Sequence, residues 1–235
     1  MTISGPEVVF TLPFFGGIPV TETVINSWIV MTFLVVASIL LTRNLKKIPK
    51  GAQVLVEKGV TMLYDMVEDT MGKDKLFFAP YIGTLFLFSL CSNLCGLFGL
   101  RPPTADLNTT ACWAVIMFLC IQFFSVQRHG LKARLKGFLE PFPVMLPMNI
   151  MSEFSTPVSM SFRHYGNIFS GVIISTLMSG AFAALTAMVF GGLQIPILGI
   201  GIPAVLSIYF DLFTGFIQAY IICMLSMVFI ATAMD

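Results

Sequence analysis

One arginine, Arg163, stands inside the apolar run of residues 148–190, MNIMSEFSTPVSMSFRHYGNIFSGVIISTLMSGAFAALTAMVF. A guanidinium keeps its proton under ordinary conditions. Placed in hydrocarbon it costs about 2.5–3.5 kcal/mol on insertion scales and more by other estimates. It lies ~21 residues after Phe142 and ~27 before Phe190, or ~31 and ~40 Å along a helix. Snorkelling to an interface is therefore difficult. Two readings stand. Arg163 is a structural cation paired with a carboxylate inside a bundle, or it is a fixed positive charge on an ion path. Ser159 and Asn167 lie four residues to either side and share its helical face. Gly166, Ser170 and Gly171 keep the helix narrow there, so a second element can approach closely.

The last apolar segment carries Asp211, Thr214, Gln218 and Tyr220. Asp211, Thr214 and Gln218 step by three and four and form a polar stripe. Such a stripe either holds a bundle together by interhelical hydrogen bonds or lines an ion path. Asp211 is the only carboxylate between residues 154 and 234. It is the natural partner or relay for charge near Arg163. Glu153, ten residues before Arg163, either lines the cytoplasmic approach or sits at the interface. His164 is expected neutral beside the guanidinium; packing and titrating roles both remain open for it. His164 and His129 are far apart in sequence, and Cys91, Cys95, Cys112, Cys120 and Cys223 all lie in apolar runs. Neither set is a metal signature, and the cysteines read as small core residues. No metal or cofactor is expected.

The elements that must position these groups follow from composition. The 235 residues are 57% hydrophobic and only 11% charged, against about 25% charged in soluble domains. With a mean hydropathy of +0.90, the chain reads as a single all-α integral membrane domain. About five spans are expected, at 24–42, 77–100, 109–127, 144–190 and 204–233. The last two are long; ~40 helical residues reach ~60 Å, twice the hydrocarbon thickness, so they must tilt or bend. Pro157 and Gly166 are the candidate bend points, and residues 191–203 form a Gly- and Pro-rich link.

Residues 51–72 differ. Val56, Val60, Leu63, Val67 and Met71 make a helical stripe, with Glu57, Lys58, Asp65, Glu68 and Asp69 on much of the opposite face. This amphipathic helix either lies on the membrane surface or docks on another cytoplasmic subunit. Residues 1–23 lack Lys and Arg and have no signal-peptide cleavage site, so they read as an ordered non-cytoplasmic tail.

The cations fix the topology. Eleven of the 13 Lys and Arg fall on one side: Arg43, Lys46, Lys47, Lys50, Lys58, Lys73, Lys75, Arg128, Lys132, Arg134 and Lys136. By the positive-inside rule that side is cytoplasmic, with the N-terminus outside and the C-terminus inside. The net charge of +1 gives no basic footprint for nucleic acid.

Three stretches then carry a resemblance. SNLCGLFG (92–99) with PPTADLNTT (102–110), SMSFRHYGNIFSG (159–171) and QAYIICML (218–225) resemble, in order, the signatures of subunit a of the F-type ATP synthase. The resemblance implies an ion-translocating, non-catalytic stator subunit in a bacterial plasma membrane. Its partners would be the c-ring, peripheral-stalk b subunits and lipid. Two offset half-channels would couple proton or Na⁺ flow to ATP synthesis. Arg163 matches the family's essential arginine. Asn167 matches the Asn beside it, and Gln218 the last-helix glutamine facing the arginine. Asp211 falls where relatives place a His or carboxylate of the outer half-channel. Two departures matter: Val172 stands where many relatives carry an acid or His, and His164 where an apolar residue is usual. The relay of the outer half-channel then rests on Asp211 alone or on waters. The alternatives are a secondary transporter, for which no inverted repeat is seen, and an intramembrane hydrolase, for which no HExxH or GxSxG occurs. No GxxxxGK[ST] phosphate loop is present, as fits a subunit that leaves nucleotide chemistry to others.

Overall fold

The structure, a computed structural model, describes residues 7–13, 17–98, 100–139, 142–189 and 197–234. For residues 197–207 and at single positions in other stretches, Val172 and Asp211 among them, it describes the backbone alone. Seven helices follow a short hairpin: α1 (Glu22–Thr42), α2 (Ala52–Met71), α3 (Ala79–Leu94), α4 (Leu107–His129), α5 (Leu131–Gly137), α6 (Leu146–Val189) and α7 (Ile197–Met234). Five stretches are long and apolar enough to cross a membrane: Glu22–Thr42, Lys73–Phe98, Leu107–His129, Pro143–Met188 and Leu212–Met234. The expected all-α membrane fold is the fold found.

The ends of the elements follow local chemistry. Gly72 (φ 91) and Gly130 (φ 82) terminate α2 and α4, a backbone that L side chains resist. Their N–H groups donate to the Glu68 and Val126 carbonyls. The second apolar span is a shorter α-helix than 77–100: the chain tightens into 3₁₀ geometry at Lys73–Phe78 and again at Cys95–Phe98, as helix ends commonly do. Asp106 caps α4 by accepting from the Asn108 N–H at 3.1 Å. Its other oxygen accepts from Thr23 of α1 at 3.0 Å, while Asn26 donates to the Arg101 carbonyl at 2.9 Å. Two polar side chains thus bind α1 to the α3–α4 connection.

Two features lay outside the sequence reading. The N-terminal tail contains an antiparallel hairpin, β1 (Val8–Leu12) with β2 (Ile18–Thr21), in which Val8 opposes Thr21. The basic stretch after α4 contains the short helix α5. The stripe of α2 is used partly within this chain. Val67 and Met71 are buried in a core with Phe78, Ile82, Met117, Ile222, Met227 and Ile230, whereas Val60 is exposed.

Helix α6 has 44 residues and runs through Pro157 without a break; α7 has 38. At 1.5 Å per residue they are ~66 and ~57 Å long. They pack against each other, with α4 and α3 along their flanks. Large apolar side chains stay uncovered, such as Phe33, Leu40, Phe162 and Leu177, each at least half exposed. Such surface suits lipid or a partner.

Where α3 meets α7 the approach is close. Asn93 donates to the Gly215 carbonyl at 2.9 Å and accepts from Thr104 at 2.7 Å. A Cβ on Gly215 would lie 3.0 Å from that of Asn93. Gly215→Val is therefore expected to push α3 from α7 and break the Asn93 bond. Overpacking of this kind costs about 1–3 kcal/mol, so the melting temperature of the detergent-solubilised protein should fall. An unchanged melting temperature would contradict this packing.

Candidate functional site

Arg163 is exposed on α6. Among the described residues it makes no hydrogen bond and no ion pair. It stands at the head of a cleft of about 280 Å³ between α6 and α7. One wall is a file of hydroxyls on α6: Ser152, Ser155, Thr156 and Ser159. These residues recur at helical spacing, so the file and Arg163 share one face. The other wall is apolar, from Leu225 and Phe229 of α7. Hydroxyls can both donate and accept, so they can solvate water or a cation without supplying net charge. Of this file the sequence reading singled out only Ser159. The period of 152, 155/156, 159 and 163 was there to be read, but Ser and Thr are common in apolar helices.

One turn beyond Arg163, Asn167 donates to Gln218 of α7 at 3.0 Å. Gln218 is 3% exposed. The expected α6 and α7 polar stripes therefore meet at this pair, one helical turn from the guanidinium. Thr214 lies half-buried four residues before Gln218. Asp211 lies on α7 a further turn along. Its side chain, and that of Val172, are outside the described residues.

Glu153 is placed differently from the hydroxyl file. It forms an ion pair with Arg134 of α5 and accepts from Gln122 of α4. The Arg134 guanidinium also stands over the Phe138 ring, 5.2 Å from its centroid. The pair is one-fifth exposed on each side. It fastens α5 and α4 to α6, and it is not among the groups lining the cleft.

His164, next to Arg163, turns the other way. It is 1% exposed and meets Trp113 of α4 edge to face at 5.4 Å. The five cysteines are free; Cys95 and Cys223 are buried, whereas Cys112 is exposed. Along the uncovered side of α7, Tyr209, Phe213, Phe216 and Tyr220 are each more than two-fifths exposed. Phe162, next to Arg163 on α6, is also more than half exposed.

The site is thus an unpaired cation in an apolar bundle, with a hydroxyl cleft on one side and a carboxamide pair on the other. Comparison with known proteins adds the following. The family model described as ATP synthase A chain matches residues 24–231. ATP synthase subunit a of Moorella thermoacetica is 34% identical over 232 residues, 98% of this chain and 97% of that one. A protein of Propionigenium modestum named "ATP synthase subunit a, sodium ion specific" is 36% identical over 248 residues, 96% of this chain and 80% of that one. ATP synthase subunit a 2 of Bradyrhizobium sp. is 34% identical over 231 residues.

The Asn167–Gln218 contact can be weighed directly. A double-mutant cycle with Asn167→Ala and Gln218→Ala, read by unfolding in detergent micelles, should give a coupling of about 0.6 kcal/mol, the mean for interhelical hydrogen bonds in membranes. Strictly additive losses would contradict a direct bond.

Proposed function

The chain belongs to the ATP synthase A chain family, and from that membership we propose that it is the ion-translocating stator subunit of a rotary ATP synthase. It conducts ions through two offset half-channels against the c-ring and leaves nucleotide chemistry to other subunits. The observation that carries this reading is Arg163. It is exposed at the head of a hydroxyl-lined cleft, unpaired among the described residues, and next to the exposed Phe162. A cation placed in a membrane domain with no carboxylate against it among the described residues is suited to a partner that brings one.

The mechanism follows from charge. The apolar face of α6 and α7 meets the ring. As each ring carboxylate passes, Arg163 favours its ionised form, because an adjacent cation lowers a carboxylate's pKa. The same fixed charge repels a cation moving straight from one half-channel to the other. Each charge crossing at 100 mV is worth about 2.3 kcal/mol, so a direct leak would discard the driving force. The Ser152–Ser159 cleft is the cytoplasmic half-channel, since it lies toward the Arg134–Glu153 end where the basic segments gather. The outer half-channel runs from Asp211 past Thr214 to Gln218 and Asn167. By the same charge asymmetry the N-terminus is outside and the C-terminus cytoplasmic, in a bacterial plasma membrane. Peripheral-stalk b subunits are the further partners of the cytoplasmic side. Membership in this family sets aside the secondary-transporter alternative.

In the assembled complex reconstituted in vesicles, Arg163→Ala should abolish ATP-driven ion pumping; near-normal pumping would end this reading. Asp211→Asn should cause a large loss of coupled transport, and full activity would move the relay elsewhere. Labelling offers an independent check. A charged thiol reagent added from the cytoplasmic side should modify Thr156→Cys and block transport, with Cys112 replaced by Ser to remove background. Modification only from the opposite side would reverse the assignment of the cleft.

A further inference from the structure

His164 is explained neither by packing nor by the mechanism so far. Its ring is fully buried against Trp113. A neutral imidazole has one N–H donor and one acceptor nitrogen. Among the described residues neither nitrogen has a hydrogen-bond partner. A buried polar group left unpaired destabilises a fold where an apolar side chain of similar size would not, so each such group calls for an explanation.

The surroundings supply one. His164 stands in a file of buried or half-buried polar groups on α6. Ser161, three residues before, shares a hydrogen bond with Thr110 of α4 at 3.3 Å. Asn167, three residues after, donates to Gln218. Ser161 and His164 do not line the hydroxyl cleft. At the α3–α4 connection Asn93 and Thr104 are bonded to each other and fully or nearly buried. Ser89 and Ser92 on α3 are also wholly buried, and their hydroxyls lack partners among the described residues. Buried or half-buried polar groups thus occur at the α3–α4 connection, at the Thr110–Ser161 contact and at the Asn167–Gln218 pair, and His164 lies between the last two along α6.

We propose that His164 is a proton-transfer station of the outer half-channel, linking the polar groups near the α3–α4 connection with the Asn167–Gln218 pair. This rests on the reading of Arg163 as the barrier between half-channels. The step balances simply. One ring nitrogen accepts a proton from the outer side, forming an N–H bond. The other nitrogen releases its proton inward, breaking one. Rotation of the ring or exchange of tautomers restores the start.

The charges around the imidazole keep the doubly protonated form brief. On α6 they are Arg163, adjacent, and Glu153, already paired with Arg134. Helix α3 carries no Asp, Glu, Lys or Arg, α4 carries none before Arg128 after its cap Asp106, and α7 carries only Asp211. The other titratable groups on these helices are Tyr81 and Cys91 on α3, Cys112, Cys120 and His129 on α4, Tyr165 on α6, and Tyr209, Tyr220 and Cys223 on α7.

The test uses the whole complex in vesicles, stripped of its catalytic sector, with proton flow driven by a potassium diffusion potential. His164→Gln keeps hydrogen bonding and removes titration. It should lower passive proton flow at least ~10-fold, the low side of what a positioned acid–base group contributes. It should also flatten the dependence of the flow on pH, since the substituted side chain no longer titrates. His164→Ala should show the same loss and regain flow with added imidazole. Wild-type flow and pH profile in His164→Gln would overturn the proposal. So would a loss with the pH profile unchanged, a loss of both variants from the purified complex, or a wild-type current carried by Na⁺ alone. Arg163→Ala in the assembled complex with its catalytic sector, assayed for ATP-driven pumping, separates the two levels. If it pumps, the parent reading fails; if it is inactive while His164→Gln is normal, only the role of His164 fails.

Discussion

An arginine that cannot shed its charge, held within a membrane bundle with no carboxylate against it among the described residues, constrains everything around it. The bundle does not neutralise Arg163. It gives the guanidinium a flank of hydroxyls and an open face, and both lessen the desolvation a buried cation would suffer. Glu153, the other carboxylate near Arg163 on α6, is committed to Arg134 and Gln122. Arg163 therefore stays available to a charge from outside the chain.

Arg163 and its neighbours are carried by α6 and α7. Each is much longer than an upright span, and together they present a wide apolar face. The shorter helices fix them in place. Helix α4 grips α6 through Thr110, Trp113 and Gln122, and α3 grips α7 through Asn93 at Gly215. At both contacts a polar side chain reaches a neighbouring helix, a form of adhesion suited to a solvent in which apolar contact alone is little favoured.

Much of this was legible in the sequence, for identifiable reasons. Arg163 stood out because a charge is rare in an apolar run, and the Asn167 and Gln218 stripes followed from helical spacing. Their meeting at 3.0 Å is the tertiary consequence of two polar stripes on adjacent helices. What stayed hidden depends on which way a residue points across a bundle. Glu153 and Ser152 are sequence neighbours, yet one ties α6 to α5 and the other lines a cleft. Arg163 and His164 are likewise adjacent, one exposed and one wholly buried. The N-terminal hairpin escaped because its strands have five and four residues, too short for alternation to speak clearly.

In the proposed function Arg163 is a barrier that only the moving ring can carry an ion past. The most direct measurement is passive ion flow through the membrane sector when the c-ring is cross-linked to this subunit and cannot turn. With Arg163 present the locked sector should be tight. With Arg163→Gln, which removes the charge but keeps a polar side chain, it should leak. A locked sector that stays equally tight without the guanidinium would contradict the account.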